Sequence, residues 1–147
     1  MPATAIRRLT LGDLPALVAL EIAAQQDEPW TPQALREELE HVDGDVLGLF
    51  LGAELLGHVC LRRMLDELWV LNLATHPDHR RTGVASRLLA AASERAAATS
   101  TTLWLEVREG NTAARALYAQ AGFELVESRP DDSLAPGLVS ETWRLRF

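Results

Sequence analysis

The sequence has 147 residues and a mass of 16.2 kDa, a length that predicts a single domain over residues 1–147 with enough chain to bury a core. Its formal net charge is −7 and its pI is about 5.0, which argues against a nucleic-acid-binding protein because such proteins carry a basic face. All 14 basic residues are arginines. Without a lysine, the chain has neither the Walker A motif of P-loop NTPases nor a residue for Schiff-base chemistry.

The single cysteine, Cys60, excludes an internal disulfide and fits a reducing compartment. It lies in an apolar, strand-like run, which favours a buried core residue over a nucleophile. No apolar run approaches the roughly 18 residues that a membrane span needs, and the opening MPATAIRRLT lacks the apolar core of a secretory signal. These features predict a cytoplasmic protein that does not enter a membrane.

The first third of the chain predicts one strand and two helices. Residues 3–9 are typical of a short strand, and residues 10–24 of a helix with Thr10 or Asp13 as its N-cap. The inward face of that helix is predicted to carry Leu14, Leu17, Val18 and Ile22. Thr31 followed by Pro32 predicts a second helix start, and its inner face carries Leu35 and Leu39.

The middle of the chain predicts three strands and a helix. The strands cover 45–51, 55–63 and 67–75, and the short turn at 52–54 makes the first two antiparallel neighbours. The loop HPDHRR then leads into a helix. Its apolar positions are Val84, Leu88, Ala91 and Ala92.

The last third predicts strands around one more helix. Residues 101–108 alternate between apolar and polar side chains, as a strand does. Asn111 is a predicted N-cap, and Gly122 ends the helix that follows it. Two closing strands flank the polar loop PDDSLAP. The order β-α-α-β-β-β-α-β-α-β-β predicts an α/β (α+β) fold, with a mixed, mostly antiparallel sheet of about seven strands and about four helices on both faces.

The stretch HRRTGVASRLL, residues 79–89, places a glycine and two arginines at a helix start. Free backbone N–H groups and the helix dipole favour an anion at such a position. Gly83 and Ala85 allow close approach of a ligand, and Arg80 and Arg81 add positive charge. The arrangement suits a pyrophosphate, although the same sequence is also compatible with a plain helix start.

Three stretches together carry a family resemblance: EPWT at 28–31, LNLATHPDHRRTGVASRLL at 71–89 and LWLEVREGNTAARALYAQAGF at 103–123. With the order of elements, they resemble the GNAT superfamily of acyl-CoA N-acyltransferases. More narrowly, the chain is similar to the ribosomal-protein N-terminal alanine acetyltransferases of the RimI type. The resemblance implies a GNAT fold, acetyl-CoA as co-substrate, no metal and transfer of an acetyl group to a primary amine.

The resemblance also implies roles for individual residues. The strand segment 71–75 would run alongside the pantetheine arm, the segment 80–85 would hold the pyrophosphate, and Asn111 would contact the cofactor arm. Glu106 matches the general base and Tyr118 the general acid of the alanine acetyltransferases. The cofactor-binding positions implied in this way are Leu73, Ala74, Thr75, Arg80, Arg81, Thr82, Gly83, Val84, Ala85, Asn111 and Tyr118.

The chemistry of the residues supports these roles independently. A protein amine is mostly protonated near neutral pH, and a carboxylate such as Glu106 can accept its proton directly or through one water. The single tyrosine, Tyr118, can protonate the departing thiolate, and its seven-residue spacing from Asn111 puts both on one helix face. The alternatives are an exposed strand charge at Glu106, a core aromatic at Tyr118 and a plain N-cap at Asn111.

The sequence further predicts direct attack within a ternary complex, because Cys60 lies outside the proposed site and no acyl-enzyme is expected. A backbone N–H of the Leu73–Ala74 region, where the family strand carries a bulge, is the expected oxyanion donor. His76 and His79 lack the further ligands that a metal site needs. His58 shares a strand face with Cys60 and is expected to be a half-buried, hydrogen-bonded histidine.

The acceptor amine is the least determined part of the prediction. The RimI-type enzymes usually carry a tyrosine pair in the loop before the last strand, whereas SRPDDSLAPGL at 128–138 has no aromatic residue. Asp131 and Asp132 can meet a cationic substrate or form a solvated loop. A protein N-terminus is the leading acceptor. A small amine such as a polyamine, amino acid or aminoglycoside is the alternative, followed by a non-catalytic acyl-CoA-binding domain. The chain is expected to be a monomer or homodimer.

Overall fold

The structure of the protein is a computed structural model, and it describes residues 3–25, 28–99, 101–130 and 139–147. The order of helices and strands is the one that the sequence predicts. The strands are β1 (Thr4–Arg8), β2 (Gly44–Leu51), β3 (Glu54–Met64), β4 (Glu67–Thr75), β5 (Thr102–Arg108), β6 (Glu124–Pro130) and β7 (Val139–Leu145). The helices are α1 (Leu14–Ala24), α2 (Pro32–Glu40), α3 (Val84–Ala98) and α4 (Thr112–Gln120).

The strands form one mixed, seven-stranded sheet in the order β1-β2-β3-β4-β5-β7-β6. All neighbours are antiparallel except β4 and β5, which are parallel. The helix α3 makes the crossover between these two parallel strands. The predicted fold class is therefore confirmed, and the parallel pair lies near the centre of the sheet.

Two apolar clusters, one on each face of the sheet, hold the helices. Leu47 and Leu49 of β2 belong to the cluster with the residues of α3 and α4. Val46 and Phe50 of the same strand belong to the cluster with the residues of α1 and α2. Successive strand residues point to opposite faces, so the predicted placement of helices on both faces is confirmed.

The helix ends follow the predicted local chemistry. The Thr31 hydroxyl accepts a hydrogen bond from the Ala34 N–H at 3.1 Å, and Pro32 occupies the first turn of α2. The Asn111 side-chain oxygen accepts one from the Ala114 N–H, also at 3.1 Å. After α4, Gly122 adopts a left-handed φ of 95°, which glycine tolerates without strain. Among the described residues, no helix is both long and apolar enough to cross a bilayer.

The predicted inward face of α1 is partly wrong. Leu17 is fully buried as expected, but Ile22 is 56% exposed, and Leu20 and Glu21 are buried instead. Glu21 can be buried because it accepts hydrogen bonds from donors inside the protein. The sequence pattern places glutamates in solvent, so the predicted inward face of α1 leaves out Glu21 and includes Ile22. His58, a partner of Glu21, is likewise fully buried rather than half-buried.

Candidate active site

The site begins where the parallel strands β4 and β5 separate. Their pairing runs from Glu67 opposite Thr102 to Val70 opposite Leu105 and ends there. On the other edge of β4, Leu71 is an extra residue between two β3 pairs, which makes it a bulge. The predicted bulge at Leu73–Ala74 is therefore wrong by two residues. The bulge lies instead at the point where the parallel pairing stops, so that β4 leaves β5 and opens a cleft.

A cavity of about 780 Å³ fills this opening, and both predicted catalytic residues line it. Glu106 extends from β5 with a side chain that is 48% exposed. Tyr118 extends from α4 and is only 7% exposed. Glu106 alternates with the buried Leu105 and Val107 and so points to the α1–α2 face, whereas Tyr118 belongs to the cluster on the α3–α4 face. The cavity therefore joins the two faces of the sheet.

The Glu106 carboxylate has a partner that the sequence analysis missed. Arg129 of β6 donates to Glu106 Oε1 at 3.3 Å. Both side chains are substantially exposed, so the pair is screened by solvent and contributes about 1 kcal/mol or less. A ligand amine can therefore replace the guanidinium at little cost. Only the pairing of β6 with β7 and of β7 with β5 brings these distant residues together.

Tyr118 is held as a neutral phenol by its surroundings. Its ring packs against Phe123 with the centroids 5.9 Å apart. Burial raises the pKa of the phenol, because removal from water disfavours the phenolate. The side chain therefore carries its proton at neutral pH, as an ordinary tyrosine does.

A second cavity of about 590 Å³ continues from the first. Gln25, Leu73 and Asn111 line both of them, so the two form one continuous cleft. The second cavity brings together most of the predicted cofactor-binding positions. Those that line it are Leu73, Ala74, Thr75, Arg80, Arg81, Gly83, Val84, Ala85 and Asn111.

The start of α3 gives this second cavity an anion-binding wall. Gly83 is the N-cap, with a left-handed φ of 86°, and a Cβ built there would meet no protein atom within 4 Å. The first main-chain bond of the helix is donated by the Arg87 N–H to the Gly83 carbonyl. The N–H groups of residues 84–86 therefore have no partner within the helix, and the positive end of the helix dipole lies beside them. The space at Gly83 is open, as the predicted pyrophosphate site requires.

Two predicted cofactor residues make contacts within the protein. Arg80 donates to the Ala24 carbonyl at 2.9 Å, which ties the loop to the end of α1. The Thr82 hydroxyl donates to the His79 carbonyl, and Thr82 does not line either cavity. These contacts shape the loop and leave the main-chain N–H groups after Gly83 as the predicted anion-binding groups.

A buried polar network borders the cleft and was not expected from the sequence. The Glu21 carboxylate is fully buried. It accepts hydrogen bonds from side chains of β3, of β4 and of the residue that follows α1, and from one main-chain N–H. Its donors are Gln25 Nε2 at 2.9 Å, the Trp30 N–H at 2.7 Å, Asn72 Nδ2 at 3.1 Å and His58 Nε2 at 3.2 Å. Burial is the largest influence on this carboxyl and opposes its ionisation, but the bonds from His58, Trp30 and Gln25 together lower its pKa.

The network determines part of the cleft wall, because Gln25, Trp30 and Asn72 also line the first cavity. Asn72 is the residue that follows the Leu71 bulge. The sequence contained one signal for this network, namely two polar residues, His58 and Asn72, within otherwise apolar strands. Such residues need buried partners.

The other polar candidates lie outside the cleft or have local partners. Cys60 is 1% exposed in the α1–α2 cluster, lines neither cavity, and burial raises the pKa of its thiol. His76 Nδ1 accepts from the Asp78 N–H at 3.2 Å, and His79 lies 3.6 Å from the Glu54 carboxylate. Asp131 and Asp132 lie outside the described residues.

Comparison with known proteins agrees with this geometry. The family model described as "Acetyltransferase (GNAT) family" matches residues 14–123, a range that contains the sheet opening, the α3 start and both catalytic candidates. The chain belongs to the GNAT acetyltransferase family. This confirms the predicted superfamily and its fold.

Three proteins illustrate the likeness of this GNAT chain to known structures and relatives. "N-alpha-acetyltransferase RimI" of Mycobacterium tuberculosis is 32% identical over 70% of this chain and 66% of that protein. The crystal structure of the ribosomal-protein-S18-alanine N-acetyltransferase from Escherichia coli superposes with a TM-score of 0.87 at 27% identity, covering 98% of this chain and 94% of that one. The PaiA N-acetyltransferase of Thermoplasma acidophilum, solved in complex with coenzyme A, shares the fold at 17% identity and a TM-score of 0.82, with 99% of each chain covered.

The likeness is less complete at the level of sequence. The matched segment spans 46% and 66% of the length of the first curated relatives.

Proposed function

We propose that the protein transfers an acetyl group from acetyl-CoA to a primary amine, and that the amine is the N-terminal α-amine of a protein, as in the ribosomal-protein alanine enzymes. The observation that carries the proposal is the continuous cleft, because Glu106 and Tyr118 lie at one end and the start of α3 at the other. The family and the alanine N-acetyltransferase of E. coli, with its TM-score of 0.87, support the reaction and the acceptor class. The coenzyme A complex of the T. acidophilum relative supports the co-substrate.

Acetyl-CoA would bind along the second cavity. The N–H groups of residues 84–86 hold the diphosphate, and Arg81 adds charge beside them. The edge of β4 from Leu73 to Thr75 has no β5 partner, so its amide groups are available to the pantetheine arm. The Asn111 oxygen is used in the helix cap, which leaves its side-chain NH₂ to donate towards the cleft.

The reaction needs one proton transfer at Glu106 and one at Tyr118, which line the same cavity. Glu106 accepts a proton from the acceptor ammonium, directly or through one water, and the neutral nitrogen attacks the thioester carbon. A main-chain N–H of the Leu73–Ala74 region donates to the oxygen that becomes negative. When the C–S bond breaks, the thiolate takes the Tyr118 proton, the nitrogen releases its second proton to water, and water restores the Tyr118 phenol. The products are an N-acetylated chain and the free thiol of CoA. The amine attacks the thioester directly, without an acyl-enzyme intermediate, because Cys60 is buried away from the cleft.

The test is a thiol-release assay with acetyl-CoA and a panel of acceptors: peptides with N-terminal alanine, polyamines, free amino acids and aminoglycosides. We expect the peptides to be acetylated on their α-amine. Turnover confined to the small amines would overturn the acceptor class while leaving acetyl transfer intact. Binding of acetyl-CoA without turnover on any amine would identify an acyl-CoA-binding domain instead.

A further inference from the structure

A smaller cavity lies beside the proposed acceptor site. The proposed mechanism places neither acetyl-CoA nor the reacting amine in it. It measures about 340 Å³, and its lining residues come from β3, β4 and β5: Met64, Trp69, Val70, Leu71 and Glu106. Three of these, Val70, Leu71 and Glu106, also line the first cavity. A molecule whose amine reaches the Glu106 carboxylate can therefore extend into the smaller cavity without a break.

The wall of this cavity leads onto an aromatic surface. Trp69 of β4 lies directly opposite Trp104 of β5 in the parallel register. Their rings stack with the centroids 5.7 Å apart and the planes at 17°. The Arg144 guanidinium of β7 lies 5.7 Å from the Trp104 ring. Both tryptophans are only partly buried, and Met64 is 38% exposed. Such a surface favours an aromatic or large apolar side chain.

We infer that this surface, Met64, Trp69 and Trp104, binds the third residue of a polypeptide acceptor and selects a bulky apolar or aromatic side chain there. We call it the Trp69–Trp104 subsite. The inference rests on the proposed function, because it takes Glu106 as the point where the acceptor α-amine binds.

The choice of the third residue follows from strand geometry. Trp104 and Glu106 are two residues apart on β5 and point to the same face, so they are separated by about 7 Å. In an extended acceptor, the first and third residues are separated by the same distance and also share a face. An acceptor with its α-amine at Glu106 that runs towards the start of β5 therefore brings its third side chain to the tryptophans.

The chemistry of the subsite favours a peptide over the small amines. A polyamine or an aminoglycoside has polar or charged groups throughout, and neither would remove the tryptophan surface from water. An exposed apolar patch next to a reaction site is typical of a surface that binds a partner. The cavity that joins this patch to Glu106 measures about 340 Å³, which suits a side chain rather than a folded domain.

The first experiment uses the unmodified protein and a series of hexapeptides, Ala-Gly-Xaa-Gly-Gly-Gly, in which only the third residue varies. We expect kcat/KM for acetylation to be about tenfold higher for Phe, Tyr or Leu than for Gly, and lowest for Asp. The difference should be in KM rather than kcat, because the subsite binds the substrate without touching the reacting atoms. Moving the Phe to the fifth position should remove the advantage.

The second experiment assigns the preference to the surface. Trp69→Leu keeps an apolar residue in the sheet but removes the stacked ring, and we expect it to reduce the preference for Phe over Gly to about twofold. Acetylation of the Gly peptide and the affinity for acetyl-CoA should stay unchanged. The matched control is Phe147→Leu, which removes a 55%-exposed ring that lines a different cavity, with residues of α3 and α4, and should leave the preference intact.

The outcomes separate the subsite from the proposed function. Equal kcat/KM values for the Phe and Gly peptides, with both acetylated, would overturn the subsite alone. A preference that survives Trp69→Leu in a protein that still binds acetyl-CoA would also overturn it. If small amines were acetylated and no peptide were, both the subsite and the peptide acceptor would be wrong.

Discussion

At the scale of single residues, the ion pair between Glu106 and Arg129 controls how the proposed base meets its substrate. The Arg129 guanidinium lies 3.3 Å from the carboxylate and pairs with it. An acceptor ammonium carries the same charge as the guanidinium and can take its place. Because the pair is exposed, the exchange costs little. Glu106 then interacts with the proton that it must remove.

The first prediction concerns this carboxylate. Glu106→Gln removes the proton acceptor and keeps the size of the side chain, so we expect kcat to fall about 100-fold or more. The affinity for acetyl-CoA should not change, because Glu106 lies in the first cavity and not in the second. Steady-state kinetics and a binding isotherm measure the two effects. The control is Glu94→Gln, an exposed glutamate on α3. Full activity of the Glu106 variant would remove this residue from the base role.

The family resemblance suggests the roles of Glu106 and Tyr118, and the sequence pattern predicts only which way the two side chains point, because each lies in a regular element. Strand alternation predicts that Glu106 points away from Leu105, and the seven-residue spacing predicts that Tyr118 follows Asn111 on one helix face. Arg129 and Glu21 could not be predicted in this way. Arg129 reaches Glu106 only through the pairing of three strands. The role of Glu21 depends on donors from β3, from β4 and from the segment after α1, which the sequence separates.

At the scale of elements, the loop between β4 and α3 forms the proposed anion-binding wall, and a matched pair of glycines tests this proposal. Gly83 and Gly52 both have a positive φ, 86° and 60°, and a Cβ at either would meet no protein atom within 4 Å. Valine is strained at both positions to a similar extent, so both variants should lose similar stability. Only Gly83 lines the second cavity.

We therefore expect Gly83→Val to weaken acetyl-CoA binding at least tenfold, because its side chain would occupy the space proposed for the diphosphate. Gly52→Val lies in the turn between β2 and β3, and its affinity should match that of the unchanged protein. Calorimetric titration measures both affinities, and thermal melts check the shared loss of stability. Equal affinities of the two variants for acetyl-CoA would contradict the placement of the diphosphate.

The position of the bulge is an element-scale feature that the sequence did not reveal. The predicted strand 67–75 matches β4, because its alternation and its flanking residues define it. A bulge, however, is a property of two paired strands, since it depends on which β3 residue lies opposite each β4 residue. The apolar run from Val70 to Leu73 fits a bulge at any of several positions.

At the scale of the whole molecule, the sheet separates the two proposed binding sites, whose ligands must meet for the reaction to occur. The second cavity, proposed for acetyl-CoA, is bordered by α3 and α4, whereas Glu106 and the Trp69–Trp104 subsite lie on the α1–α2 face. The opening between β4 and β5 is the passage between these faces. Its width depends on the elements that border it, and the Glu21 network ties α1, β3, β4 and Trp30 together at this point.

The last prediction tests whether this network supports the whole fold. Glu21→Gln replaces a carboxylate that accepts from several buried donors with an amide that has one oxygen, so some donors lose their acceptor. We expect a loss of about 3 kcal/mol in the free energy of unfolding. The control, Glu38→Gln, changes another buried glutamate, but its partner Arg62 is partly exposed, and a loss of about 1 kcal/mol is expected.

The pH dependence gives this prediction a second measurement. The folded state lowers the pKa of Glu21, so its carboxylate contributes stability above the unfolded-state pKa of about 4.3, and that contribution is lost as the pH falls through the lower folded-state value. Urea unfolding at several pH values should therefore show the largest difference between the unchanged protein and Glu21→Gln near neutral pH. Below about pH 4 the difference should shrink. A difference that stays constant over this range would mean that the charge of Glu21 does not stabilise the fold, and that only its shape does.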